Sequence, residues 1–296
     1  MDSILVTGGT GFIGTSLCKL LRDKGYTVLI LSRNKVDKPN TYHWNLEDQY
    51  IDTEAIVRAN YIIHLAGAGI ADKRWSKERK RILIDSRVKS ANLLFEKVKE
   101  LNPNLKGFIS ASAVGYYGAT TSTKIYKEND APGNDFVSVI CKAWEKATNQ
   151  FRDLNIRTVI LRTGVVFSNK GGALEKLRKP IKLGVGAALG SGKQYMPWIH
   201  IDDLCNMYVE ALENSEIKGI YNAVAPEHIT NKSLTKIIAK KLKKPLWLPN
   251  IPAFVLKLIL GEMAVILLEG SRVSSEKITS TGFKFRYPKI NDALDN

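Results

Sequence analysis

The stretch TGGTGFIG, Thr7–Gly14, decides the fold. A short apolar run, Ile4–Thr7, precedes it, and an apolar-periodic stretch, Phe12–Lys24, follows it. That order reads as strand, tight turn, helix. The spacing Gly8-x-x-Gly11-x-x-Gly14 has a physical reason at each glycine. Gly8 lets the chain turn sharply, Gly11 lets a pyrophosphate approach the backbone, and Gly14 lets the helix pack closely on the strand. The free N–H groups at the helix start then face the phosphates with a partial positive charge. In this strand–turn–helix setting the pattern indicates a dinucleotide.

The end of the next β-rich run, Thr27–Leu31, separates the two nicotinamide dinucleotides. NAD binders carry an acid there for the ribose 2′-hydroxyl. This chain has LILSRN, with Ser32 and Arg33 and no carboxylate. A guanidinium pairs with a 2′-phosphate and a serine hydroxyl can add a hydrogen bond, with Lys35 as a helper. NADP(H) is expected in preference to NAD(H). The competing reading makes Arg33 an ordinary surface residue of a site that takes NAD(H) loosely.

Working outward, a weak strand is expected at Thr41–Asn45, a short helix at Thr53–Arg58, and a buried strand at Tyr61–Leu65. A long helix follows at Ser76–Glu100, then a strand at Gly107–Ser112, a helix at Asp135–Asp153 and a strand at Arg157–Leu161. Strands and helices alternating at this spacing give an α/β, doubly wound Rossmann sheet, parallel, with helices on both faces. After Arg162 the rhythm breaks into a glycine-rich segment, residues 169–197. Later elements are a helix at Asp202–Glu213, a strand at Gly219–Ala223, a helix at Thr230–Lys243, a helical region at Pro249–Leu268 and an edge strand at Gly282–Tyr287. The expected organisation is a dinucleotide-binding domain over residues 1–165, substrate-lobe segments with returns to the sheet over 166–247, and a smaller α-rich C-terminal lobe over 248–296.

Composition bounds the rest. The chain has 296 residues, 44% of them apolar and 25% charged, as globular domains do. Its formal net charge of +15 suits anionic partners without choosing among them. No nucleic-acid motif is present, so no nucleic acid is expected. The longest apolar run, Ile251–Leu268, is interrupted by Lys257 and Glu262 and reads as an amphipathic or buried helix, not a membrane span. No membrane is expected. Cys18, Cys141 and Cys205 are too few and too widely spaced for a disulfide framework or a zinc site. A first strand beginning at Ser3 leaves no room for a signal peptide, so a reducing, cytoplasmic setting is expected.

Several segments together resemble a known family. TGGTGFIG, IIHLAGAG (Ile62–Gly69), the SAS strand end (Ser110–Ser112) and WIHIDDL (Trp198–Leu204) resemble the extended short-chain dehydrogenase/reductases of the NAD-dependent epimerase/dehydratase group. RWSKERK (Arg74–Lys80), SAVGYYG (Ser112–Gly118), DFVSVICKAWE (Asp135–Glu145), LGSGKQYMPWIHIDDL (Leu189–Leu204) and the run from Leu248 to Ile278 resemble an atypical epimerase-family subgroup with a C-terminal domain of unknown function. The resemblance implies that Gly8, Gly11, Phe12 and Ile13 contact the pyrophosphate, with Thr10 and Gly14 in the same turn. It places Ser32 and Arg33 on the adenosine ribose phosphate and Asn45 and Leu46 near the adenine. Leu65, Ala66 and Gly67 would pass under the nicotinamide ribose, and Gly164 and Val165 would line the nicotinamide end. It names no substrate. Pairing of two copies through the helices Ser76–Glu100 and Asp135–Asp153 is expected by analogy.

Typical members use Ser, Tyr and Lys, the last two one helical turn apart so that both face the cofactor. Ser112 supplies a serine; the competing reading is a strand-end hydroxyl that satisfies backbone groups. The Tyr-x-x-x-Lys pair is absent. Aligned on Glu145, its positions hold Val137 and Cys141; aligned on Lys142, the tyrosine position holds Ser138. Tyr116 and Tyr117 are candidate substitutes. A loop tyrosine without a lysine keeps a pKa near ~10, high for a base at neutral pH, and Tyr117 can equally fill a packing role. In WIHIDDL, His200, Asp202 and Asp203 suggest an acid–base or metal cluster, but Asp202 as a helix cap with His200 packed below is the simpler reading, and no metal is expected. The basic run of Lys73, Arg74, Lys77, Arg79, Lys80 and Arg81 could face an anionic substrate, but a solvated helix start is the simpler reading. Two functions follow. One is an NADP(H)-dependent oxidoreductase or epimerase of unknown small-molecule substrate, held between Ser112, the Tyr116–Tyr117 turn and Gly184–Gly192. The other is a catalytically impaired, dinucleotide-dependent regulatory or interaction protein.

Overall fold

The structure is a computed structural model and describes residues 1–295. Ser3–Thr7 forms strand β1, Phe12–Asp23 helix α1, Thr27–Ser32 β2, Thr41–Asn45 β3, Tyr50–Ile51 β4, Thr53–Val57 α2 and Tyr61–His64 β5. Lys77–Leu101 is α3, Gly107–Ala113 β6, Ile125–Tyr126 β7, Phe136–Asn149 α4 and Arg157–Thr163 β8. Val165–Ser168 is β9, Gly171–Gly172 β10, Ala173–Lys182 α5, Trp198–His200 β11, Ile201–Glu213 α6, Gly219–Ala223 β12 and Asn231–Lys241 α7. The C-terminal lobe holds Ala253–Leu260 (α8), Val265–Leu268 (α9), Arg272–Val273 (β13), Glu276–Thr279 (α10) and Ile290–Asp295 (α11).

Period-two alternation in the strands splits the core into two layers. Ile4 and Val6 of β1 face one side with Leu17, Cys18 and Leu21 of α1 and Leu204, Cys205 and Tyr208 of α6. Leu5 faces the other side with Ile56 of α2 and Leu93, Leu94 and Val98 of α3. The sheet between them runs β12-β8-β6-β5-β1-β2-β3-β4. Every neighbouring pair is parallel except β3–β4. The strands after β1 fill one side first and then cross to the other, so the switch point lies between β1 and β5. In such sheets the ligand crevice opens outside the carboxyl ends of those two strands. The return of β12 to this sheet and of α6 to its face brings parts of residues 166–247 back to the dinucleotide-binding unit.

The long helices start where polar side chains take up free backbone N–H groups. Ser76 accepts from the Arg79 N–H at 3.0 Å, Asp135 from Ser138 at 3.0 Å and Thr230 from Ser233 at 3.2 Å. All three cysteines are buried thiols in helices.

Two expectations are corrected. Gly282–Tyr287 is not a strand. The buried Asp203 carboxylate accepts the backbone N–H groups of Arg286 and Tyr287, at 2.8 and 2.9 Å, where a sheet partner would have accepted them. Pro249–Leu268 is not one helix either. Gly261, at φ +63°, ends α8 and a 3-10 turn, Gly261–Ala264, separates it from α9. Within α8 Leu256 is buried and Leu260 packs against the cluster of Trp75, Leu83 and Met263, while Phe254, Lys257, Leu258 and Ile259 are exposed.

Candidate functional site

The glycine turn is shaped as its spacing predicts. A side chain on Gly14 would meet the Gly8 carbonyl oxygen at 2.1 Å, so only glycine fits there. Gly8 has φ +70°, and a Cβ there would press on the chain after β5, 3.1 Å from the Ala66 nitrogen. Gly11 caps α1 with no side-chain hydrogen bond, which leaves N–H groups of the first turn open to an anion. A Cβ on Gly11 would meet only the Gly8 oxygen, at 3.2 Å. This is a cradle that side chains would fill and that a pyrophosphate fits.

Thr7 and His64, which sequence reasoning missed, frame the cradle. The Thr7 hydroxyl oxygen lies 2.8 Å from His64 Nδ1 and accepts the N–H groups of Leu65 and Ala66 at 3.2 and 3.1 Å. His64 is fully buried and its other nitrogen lies 3.2 Å from Ser90 Oγ. Burial pushes its pKa down to about 3, so the ring is neutral and ties β1, β5 and α3 together. A polar pair at matched strand ends was the available signal.

On the adenosine side, Ser32 ends β2 and its Oγ accepts the Asn34 N–H at 3.2 Å. Arg33 is exposed and forms no ion pair among the described residues. Asn45 and Leu46 stand at the turn after β3. The Asn45 amide is used within that turn, by Asp48 and by the Glu47 N–H. Thr10 is exposed, and Phe12 packs against Gly172 at the start of α5.

Toward the other end, Gly67 is covered by Arg87, whose guanidinium carbon would lie 3.1 Å from a Cβ on Gly67. Arg87 comes from α3, donates to the Leu83 carbonyl at 2.9 Å and lies over the Trp144 ring. No carboxylate pairs with it among the described residues. Burial lowers its pKa from the usual arginine value, and its charge is felt at Cys141. Gly164 is explained by packing, because a Cβ there would meet the Pro197 carbonyl oxygen at 2.6 Å. Val165 starts β9 and its N–H donates to the same oxygen at 2.7 Å.

In the register aligned on Glu145 the positions of the missing pair are apolar, and in the register aligned on Lys142 the tyrosine position is a serine. Val137 packs over Gly115, and Cys141 is a buried thiol whose pKa burial pushes up to about 12. Ser138 donates to the Gly133 carbonyl at 2.6 Å. Ser112 and Tyr117 are also placed differently from expectation. Both are 3% exposed and belong to one buried network. Ser112 Oγ donates to Glu145 Oε1 at 2.8 Å, so its partner is a carboxylate and not the backbone. Arg162, from β8, donates to both Glu145 oxygens at 2.8 Å and to the Tyr117 hydroxyl at 3.0 Å. Tyr117 donates in turn to Asn222 Oδ1 at 2.7 Å. Burial pushes the Tyr117 pKa up to about 12, despite Arg162. This phenol thus has both hydrogen-bonding roles filled inside the network. Tyr116 is half-buried, with Arg162 stacked 3.4 Å from its ring centre.

WIHIDDL is also reassigned in detail. His200, not Asp202, caps α6, its Nδ1 accepting the Asp202 N–H at 3.2 Å. Burial lowers the His200 pKa, which keeps the ring a neutral acceptor. Among the described residues no group of His, Cys, Asp or Glu has a metal-holding arrangement. The basic run is only partly solvated. Lys80 pairs with Glu262, Arg74 packs on Gly261, and Arg79 donates to the Gly69 carbonyl at 2.6 Å. The first two contacts fasten the C-terminal lobe over the start of α3.

Comparisons with known proteins agree with this geometry. The sequence profile of the NAD dependent epimerase/dehydratase family matches residues 4–223, and a domain of unknown function (DUF1731) matches residues 251–296. The mouse epimerase family protein SDR39U1 is 34% identical over 295 residues, covering 98% of each chain. Epimerase family protein YfhF of Bacillus subtilis is 34% identical, covering 99% of this chain and 96% of that one. The crystal structure of human epimerase family protein SDR39U1 (isoform 2) with NADPH superposes with a TM-score of 0.88 at 32% identity, over 99% of this chain and 97% of that one.

Proposed function

This chain belongs to the NAD dependent epimerase/dehydratase family, and on that footing we propose that it binds NADP(H) and serves as a cofactor-dependent regulatory or interaction protein. The observation that carries the first half is Arg33, an exposed guanidinium without an ion pair, beside a cradle that only glycines can form. The human relative crystallised with NADPH supports the same cofactor. The second half rests on the sealed network of Ser112, Glu145, Arg162 and Tyr117, together with the apolar Val137 and Cys141. A bound nicotinamide supplies hydride chemistry; these residues supply no proton relay for it. Gly8, Gly11 and Gly14 bind the pyrophosphate, Ser32 and Arg33 hold the 2′-phosphate, and Arg87 supplies positive charge beside Gly67. Three unpaired thiols fit a reducing compartment such as the cytoplasm. Exposed Ile82 and Val139, on α3 and α4, fit pairing of two copies through those helices.

A second reading keeps family oxidoreductase chemistry on an unknown small molecule, with Tyr116 as proton donor. It is favoured by the half-buried Tyr116 ring stacked on the Arg162 cation. Calorimetry with NADPH and NADH tests the common premise. NADPH binds more tightly, and Arg33→Ala removes about 10- to 100-fold of that preference. Equal affinity for the two, or none for either, sinks it. Incubation with NADPH and a panel of carbonyl and sugar-nucleotide compounds then separates the readings. Tight binding without nicotinamide oxidation supports the regulatory protein, and turnover lost in Tyr116→Phe supports the enzyme.

A further inference from the structure

Helix α8 of the C-terminal lobe and the segments around Trp247 and Gly184 carry exposed apolar side chains that the cofactor site does not use. In α8, AFVLKLIL, Phe254 is 71% exposed and Leu258 is 76% exposed. They stand four residues apart, on one helix face. Ile259 beside them is exposed as well. Trp247 is 69% exposed, and its indole N–H donates to the Gly184 carbonyl at 2.9 Å. That bond brings the exposed Leu183 and Val185 alongside it. Single exposed apolar residues are ordinary; a helix of this composition with one buried residue is not.

Two features choose the occupant. Trp247, Phe254 and Leu258 stand out from the surface, and none of them lines the cavity beside α8 that Lys257, Gly261, Glu262, Val265, Leu268 and Glu269 form. Cations neighbour these residues along the chain. Lys182 adjoins Leu183, Lys243 and Lys244 precede Trp247, and Lys257 lies within α8. Of the nearby acids, Glu262 is paired with Lys80 and Glu269 accepts from Thr121. The chain as a whole carries +15. A second copy docked face to face would set Lys257 against its own equivalent, which like charge disfavours. Among the described residues no helix is long and apolar enough to cross a membrane.

We propose that this face seats the protein on an anionic lipid bilayer, with Trp247, Phe254 and Leu258 entering the headgroup–acyl boundary and the neighbouring lysines meeting the lipid phosphates. Apolar side chains at the interface combined with basic neighbours give this kind of attachment, and its strength depends on lipid charge. This goes beyond NADP(H) binding and does not rest on it.

Co-sedimentation of the full chain with vesicles tests it, using phosphatidylcholine alone and phosphatidylcholine with about a third phosphatidylglycerol. The chain is expected on the anionic vesicles and not on the neutral ones, with release as salt rises. The pair Phe254→Glu and Leu258→Glu lowers binding about tenfold or more. The pair Lys243→Gln and Lys244→Gln lowers it about fivefold per charge. NADPH affinity stays unchanged in both, which shows that the variants fold. Absence from anionic vesicles overturns the proposal. So does unaltered binding by the Phe254→Glu, Leu258→Glu chain, and so does light scattering that shows this pair dissolving a dimer.

Discussion

The two ends of the cleft treat their polar groups in opposite ways. At the carboxyl ends of β1 and β2, donors are left open: first-turn N–H groups of α1 have no side-chain cap, and Arg33 has no ion-pair partner among the described residues. At the ends of β6 and β8, donors and acceptors are consumed by one another, from Ser112 through Glu145 and Arg162 to Tyr117 and Asn222. Open donors bind an anion at low cost, because nothing has to be broken first. A saturated network holds elements together, and a group in it must give up a bond before it can take another. The contrast separates holding a dinucleotide from doing proton chemistry beside it.

The largest expected effect comes from breaking the saturated side. Arg162→Ala leaves the Glu145 carboxylate buried without its cation, which costs about 3–5 kcal/mol. In a chain of this size that lowers Tm by about 10 °C, read by scanning calorimetry. Replacing Arg162 and Glu145 together by leucines recovers much of the loss, because no charge is then stranded. A single variant as stable as the parent would show that the network is not structural. Next comes the open side. Gly14→Ala drives a methyl group into the Gly8 carbonyl, distorts the turn and lowers NADPH affinity by about 100-fold or more in a fluorescence titration. Intact affinity would remove the cradle from the binding site.

The open side was legible in the sequence and the closed side was not, for a physical reason. A phosphate turn is local: its glycine spacing, flanking strand and helix lie within about 25 residues and are fixed by sterics. The saturated network joins β6, α4, β8 and β12, and its bonds span up to 105 residues, as between Tyr117 and Asn222. Nothing in the neighbourhood of Ser112 or Tyr117 says that Arg162 will lie between them. Asp203 shows the same limit. Its carboxylate captures the Arg286 and Tyr287 N–H groups and so removes a strand that alternation alone suggests. Propensity also missed the break in the Pro249–Leu268 region, which depends on the backbone conformation of Gly261.

His64 gives a smaller effect that sharpens the open side. Folded, it takes a proton only near pH 3; unfolded, it does so near pH 6.5. Between those values the unfolded chain holds more protons, so stability present above pH 6.5 is lost as the pH falls below it. The loss is on the order of 2 kcal/mol by about pH 5. Urea midpoints across that range, compared with His64→Gln, measure it. The parent should lose more stability toward acid than the variant, by about one proton's slope, and parallel profiles would show that His64 is not held neutral.

Tyr117→Phe has the smallest expected effect and the sharpest meaning. The substitution removes a hydroxyl that donates to Asn222 and accepts from Arg162, both in the interior. It should cost about 1–2 kcal/mol of stability, because Arg162 Nη1 keeps the Glu128 carbonyl while the buried Asn222 Oδ1 loses its donor. NADPH affinity should not change, since the hydroxyl faces the network. Any turnover found with NADPH should persist within about twofold, because a phenol pushed up to about 12 and engaged on both sides does not exchange protons with a substrate. A proton-donating phenol behaves differently: its removal costs about 10²- to 10⁴-fold in rate while stability barely moves. Measuring both quantities on one variant tells which end of the cleft Tyr117 serves. A large rate loss with unchanged stability would place it in the chemistry and dissolve the division between an open side and a sealed one.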